Sequence, residues 1–113
     1  MKINKKFEFW DAETLTKNLI YGTKKAYDFT LALRSHVQDG YVPTGWYGIK
    51  LINVFNSTLP NLLVIGYWDG GELSCTQLNT SVSMAEYELA ILAAVKEYFK
   101  ECETMEVYVE AYT

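Results

Sequence analysis

The stretch from Ser83 to Phe99 reads SMAEYELAILAAVKEYF, and its pattern fits an amphipathic helix far better than any strand. Ser83 stands three residues before Glu86, the spacing of a capping box: the hydroxyl accepts from the Glu86 amide and the carboxylate reaches back to the Ser83 amide. At about 100° per residue, Met84, Tyr87, Ile91, Ala94, Val95, Tyr98, Phe99 and Cys102 share one broad face, with Leu92 at its border. Glu86, Ala90, Ala93, Glu97, Lys100 and Glu101 fall on the other side. Such a helix, over residues 83–101, lays its apolar face on a core that the rest of the chain has to supply.

Residues 3–10 alternate weakly, with Phe7 and Phe9 on one side and Glu8 and Trp10 on the other, as in a short strand or extended arm. Asp11 then reads as an N-cap, with Glu13 in a first helical turn whose positive dipole end suits a carboxylate. From there to Gly40 two patterns compete. As helix, Leu15, Leu19, Gly22, Ala26, Phe29, Leu33 and Val37 form a stripe, with Asp39-Gly40 as a stop. As strand, Tyr27, Phe29, Leu31 and Leu33 alternate with Asp28, Thr30, Ala32 and Arg34. The helical stripe accounts for more residues, so a helical region over 12–38, broken near Gly22, is expected. Ile20, Tyr27 and Leu31 form a second apolar strip on its flank, suited to the sheet or to a partner.

Residues 41–48 (YVPTGWYG) read as a loop. Ile49–Phe55 is strand-like, residues 56–60 turn the chain, and Leu62–Trp68 is apolar on both faces, as a central strand would be. Asp69-Gly70-Gly71 suits a tight hairpin, Glu72–Leu78 returns, and Met105–Tyr112 closes the chain with clean alternation. The expected fold is α+β: a mainly antiparallel sheet of four to five strands, the helix at 83–101 as a crossover, and the helical region at 12–38. A right-handed crossover would set the last strand parallel to a neighbour.

A chain of 113 residues, half of them hydrophobic, makes one domain over 1–113 with a core that needs no metal or disulfide. No apolar run approaches the roughly 20 residues of a membrane span. The lysines of MKINKKFEFW precede no apolar signal segment, so a cytoplasmic location is expected. Cys75 and Cys102 are then read as small buried apolar residues. Charge is uneven: residues 1–56 carry eight Lys/Arg against five acids, residues 57–113 only two against nine. An acidic second half disfavours direct nucleic-acid binding and suits a basic protein partner.

Catalytic signals are thin. His36 is the one histidine, with no nucleophile motif beside it. No metal-ligand spacing, phosphate loop or dinucleotide fingerprint occurs, so neither a metal nor a cofactor is expected. Glu88 falls within the apolar face of the capped helix, where burial would raise its pKa. An enzyme or ligand-binding reading therefore places Glu88, His36, Tyr67 or Tyr87 around a pocket between sheet and helices.

The C-terminal region carries the stronger anomaly. Glu97, Glu101 and Glu103 crowd the helix end where the dipole prefers cations, and Glu97 and Glu101 are like charges at i,i+4. Glu106, Tyr108, Glu110 and Tyr112 then share one face of the last strand. Carboxylates interleaved with tyrosines suit Lys and Arg on a partner. Loop aromatics Trp46, Tyr47 and Trp68 are further candidate anchors. The expectation is a non-catalytic, acidic inhibitor or immunity or counter-defence factor, of a size and charge common among phage and mobile-element proteins, docking on a basic, nucleic-acid-handling enzyme. A homo-oligomeric module, paired through the apolar strip or an edge strand, is the other non-catalytic reading.

Overall fold

The computed structural model describes residues 3–22, 31–37, 40–41, 47–67, 71–100 and 104–112, with the backbone alone for 3–7, 31–37, 40–41 and 108–112. The elements run β1 (Ile3–Trp10), α1 (Ala12–Tyr21), β2 (Leu31–Val37), β3 (Gly40–Tyr41), β4 (Tyr47–Ile52), β5 (Leu62–Tyr67), β6 (Glu72–Gln77), α2 (Met84–Tyr98) and β7 (Met105–Tyr112). This is the mixed α+β fold that the sequence implies.

Both helices begin on the caps that their sequences carry. The Ser83 hydroxyl accepts from the Glu86 amide at 3.3 Å, and the Asp11 carboxylate accepts from the Thr14 amide at 2.8 Å. That amide, first among several causes, holds the Asp11 carboxyl below its usual range. Asp11→Ala is expected to cost about 0.5–2 kcal/mol in urea unfolding at neutral pH. Because the folded-state pKa is the depressed one, this difference is complete above the unfolded pKa of about 3.9 and shrinks as pH falls through it.

Among the described residues six strands form an antiparallel sheet in the order β1-β7-β2-β4-β5-β6, and β3 pairs with β2 off this path, a larger set than the four to five expected. The meander β4-β5-β6 is as expected. A register shift between Ile65 and Gly66 bulges its last ladder, and the Gly71 carbonyl stands where a side chain at Gly66 would begin.

Three expectations are corrected. The helical region does not extend over 12–38: α1 ends at Tyr21, where the Gly22 amide donates to the Asn18 carbonyl, and residues 31–37 form β2. Residues 29, 33 and 37 are four apart, one helical turn but also two strand repeats, so both patterns fit them. Ladders to β4 and β7 on the two sides of β2 decide for the strand. Second, β7 is not parallel to a neighbour. It lies between β1 and β2, antiparallel to both. Those two strands run the same way with one strand's width between them, and a strand arriving from the opposite end fills the gap. Third, Cys75 is exposed rather than buried; Cys102 lies outside the described residues.

Within the expected loop at 41–48, Tyr41 belongs to β3 and Tyr47 and Gly48 to β4. Residues 23–30, 42–46 and 68–70, with Trp46 and Trp68, lie outside the described residues.

One face of the sheet carries the core. Leu15 and Leu19 of α1 and Tyr87, Ile91 and Val95 of α2 pack with Ile49, Leu51, Leu63, Ile65, Met105 and Val107. Both helices therefore cover the same side. On the other side the alternate residues are open to different degrees: Lys50, Cys75 and Gln77 are exposed, Leu62 and Val64 half-buried, and Phe9 is 64% exposed. No helix among the described residues is long and apolar enough to cross a membrane.

Candidate functional site

The expected site residues divide between the two layers. Glu97 is exposed on α2, beside Lys96 in its last turns. Glu106 lies in β7 between buried Met105 and Val107, so strand alternation sets position 106 on the face away from the helices. Positions Tyr108, Glu110 and Tyr112 follow at the same parity. Glu101 and Glu103 lie outside the described residues. The layers keep Glu97 and the β7 positions apart, on opposite sides of the sheet.

The register surrounds the β7 positions with residues that local sequence does not reveal. Glu106 lies between Phe9 of β1 and Arg34 of β2, and Tyr108 between Phe7 and Ala32. Glu110 is opposite Lys5, and Tyr112 opposite Ile3. Each β7 carboxylate position thus has a basic residue directly across a ladder, an arrangement that attracts. The face alternates acid, base and aromatic positions instead of presenting uniform negative charge. The molecule's acid excess is carried elsewhere, by exposed residues such as Glu72, Glu86 and Glu97.

Phe9 is the member of this face that sequence reasoning passed over. Its signal was present: Trp10, of opposite parity, is buried and donates its indole N–H to Glu8 at 3.1 Å, which turns Phe9 outward. Phe55 was missed as well, having been read as the end of a strand. β4 stops at Ile52, and Phe55 and Asn56 both take left-handed backbone (φ 59° and 54°), a conformation that costs a non-glycine residue about 1–2 kcal/mol. Asn61 holds this turn by accepting from the Val54 amide at 2.8 Å and donating to the Val54 carbonyl and the Ser57 hydroxyl, each at 2.9 Å. The turn leaves Phe55 92% exposed.

The residues of the enzymatic reading go to different places. Tyr87 is buried and its hydroxyl donates to the Pro60 carbonyl. Glu88 is half-buried at the seam between the helices, where it accepts from the Tyr21 hydroxyl at 3.3 Å. Burial first, and then the Glu88 charge, push the Tyr21 hydroxyl's pKa up. Tyr67 is exposed and stacks on Tyr47, with ring centroids 5.9 Å apart. Tyr47, expected in a loop, thus joins a cluster with Tyr67, Tyr98 and Phe99. His36 lies in β2 opposite Tyr41.

A cleft of about 530 Å³ opens between the first turn of α1 and the last turns of α2. Asp11 and Glu13 stand on one side and Lys96 and Lys100 on the other, over Phe99 and Met105. Acids at a helix start and lysines at a helix end are the charges that the two dipoles select, so their presence follows from helix stability alone. In comparisons with known proteins, no family model, no curated protein and no solved structure matched this chain.

Proposed function

We propose that this protein is a non-catalytic binding factor of the inhibitor, immunity or counter-defence type. It docks through the sheet face, centred on β7, that lies opposite the two helices, and occupies a basic surface of a larger, nucleic-acid-handling protein. The observation that carries this reading is that, among the described residues, both helices lie on one face of the sheet and Phe9 is 64% exposed on the other. A large exposed aromatic beside alternating charges suits an interface better than a solvated surface. The acid excess of residues 57–113 supports a basic partner, because it attracts at distances beyond the contact itself. Phe55 stands in the β4–β5 turn, at the end of the sheet where β7 finishes, as a second fixed aromatic.

The test is capture from a lysate of the producing cell or its host at low and high salt, with wild type, Phe9→Ser and the pair Glu106→Gln/Glu110→Gln. Neutral glutamines avoid setting a new cation opposite Arg34 or Lys5. Wild type is expected to retain a basic protein in a salt-sensitive way, and each folded variant to retain it about tenfold less, or ~1.4 kcal/mol. Equal capture by all three proteins, with unchanged melting curves, would remove this face from function.

A further inference from the structure

The geometry of the outer edge of β6 follows from one bond. The Leu78 amide donates to the Asn61 carbonyl at 2.9 Å, so residues 61 and 78 form a hydrogen-bonded pair of the β5–β6 ladder. Such pairs alternate along an antiparallel ladder. Thr76 and Ser74 therefore turn their amide and carbonyl groups toward β5, while those of Cys75 and Gln77 turn outward. Beyond β6 the described residues contain no further strand.

The two edges of the sheet differ in their defences. β1 carries Lys5, Lys6 and Glu8, charges of the kind that keep edge strands from pairing with other chains. β6, ELSCTQ, has no lysine and no proline, and its single charge is Glu72 at one end. Every residue of β6 is exposed or half-buried. Leu73, 40% exposed, is the extra residue of the bulge, and from Ser74 to Gln77 the ladder is regular.

We propose that β6 pairs with β6 of a second copy, antiparallel about a twofold axis at Cys75, joining the two sheets into one. The strand's own sequence favours a second copy as the occupant. With the axis at Cys75, Gln77 of each protomer faces Leu73 of the other and Thr76 faces Ser74, a hydroxyl pair of the kind that stabilises ladders. The two Glu72 residues lie at opposite ends, so no like charges meet. The two Cys75 α-carbons come to about 5.5 Å, within disulfide reach. An edge of this length covers less than the roughly 1,000 Å² of a stable interface, so the dimer forms and dissociates with concentration.

The experiment uses the full chain with Cys102→Ser, so that Cys75 is the one thiol, followed by sedimentation equilibrium over a range of concentrations. Mass is expected to rise from monomer toward dimer. Diamide, which takes up the two electrons and two protons of the thiols, is expected to trap a covalent dimer. In the same background L73K/Q77K sets like charges opposite each other in both outer pairs and should weaken association at least about tenfold. L73E/Q77K sets opposite charges there and should restore it. Both positions are exposed, so the monomer's melting curve should hold in each variant. A C102S protein that stays monomeric throughout, or a dimer that ignores both charge pairs, would overturn the proposal. Either outcome leaves the reading of the β7 face untouched, since that reading does not involve β6.

Discussion

Ile91→Ala is expected to lower the unfolding free energy by about 2–5 kcal/mol, the range for truncating a fully buried aliphatic side chain. Ile91 is 0% exposed, in the middle of α2, on the face that meets both α1 and the sheet. The cavity would lie where three elements converge. α1 cannot move in to fill it, because its Leu15 and Leu19 are already seated in the same cluster. Single domains have about 5–15 kcal/mol in total, so the variant should retain its fold with a much lower urea midpoint and an unchanged slope. Two positions earlier Leu89 is 62% exposed on the outer side of the same helix, and Leu89→Ala should move the midpoint little. Equal losses from Ile91→Ala and Leu89→Ala would mean that α2 does not lie on the sheet by this face.

The helix just described was legible because its instructions are local: a cap at Ser83, a buried stripe at helical spacing and solvent opposite. The β4-β5-β6 meander was legible for the same reason, its turns being written in Asn, Ser, Pro and Gly. β2 was misread where Leu33 and Val37 satisfy two periods at once, and only ladders made with β4 and β7 separate them. At the candidate site the alternation of Glu106, Tyr108, Glu110 and Tyr112 was visible in sequence. That Lys5 and Arg34 stand across from two of them was not, because register between strands about 70 to 100 residues apart is set by the whole sheet. The uneven charge of the two halves, plain in composition, is thus partly balanced in space: the basic N-terminal half supplies the neighbours of an acidic C-terminal strand.

Tyr87→Phe separates packing from hydrogen bonding at the N-terminal end of α2's buried face. The ring is kept and 1% exposed, so the apolar contacts survive, but the buried Pro60 carbonyl loses its donor. The expected cost at neutral pH is about 1–3 kcal/mol, the penalty for leaving one buried acceptor unsatisfied. Alkaline pH should narrow the difference. An unfolded tyrosine releases its proton near 10, whereas burial pushes the Tyr87 hydroxyl up to about 12 in the folded protein. Between those values the folded state holds a proton that the unfolded state has lost, so stability falls as pH rises, by up to about 1.4 kcal/mol per pH unit. Below pH 10 this component is complete; above 12 it is gone. Burial, as the first cause, also raises Tyr98, but that residue is common to both proteins and cancels in their difference. Urea unfolding of the two proteins side by side, at neutral pH and at about pH 11, should show the wild-type advantage shrinking by at least about 1 kcal/mol. A constant gap across that range would mean that Tyr87 titrates alike in both states, and so that water reaches the hydroxyl beneath α2.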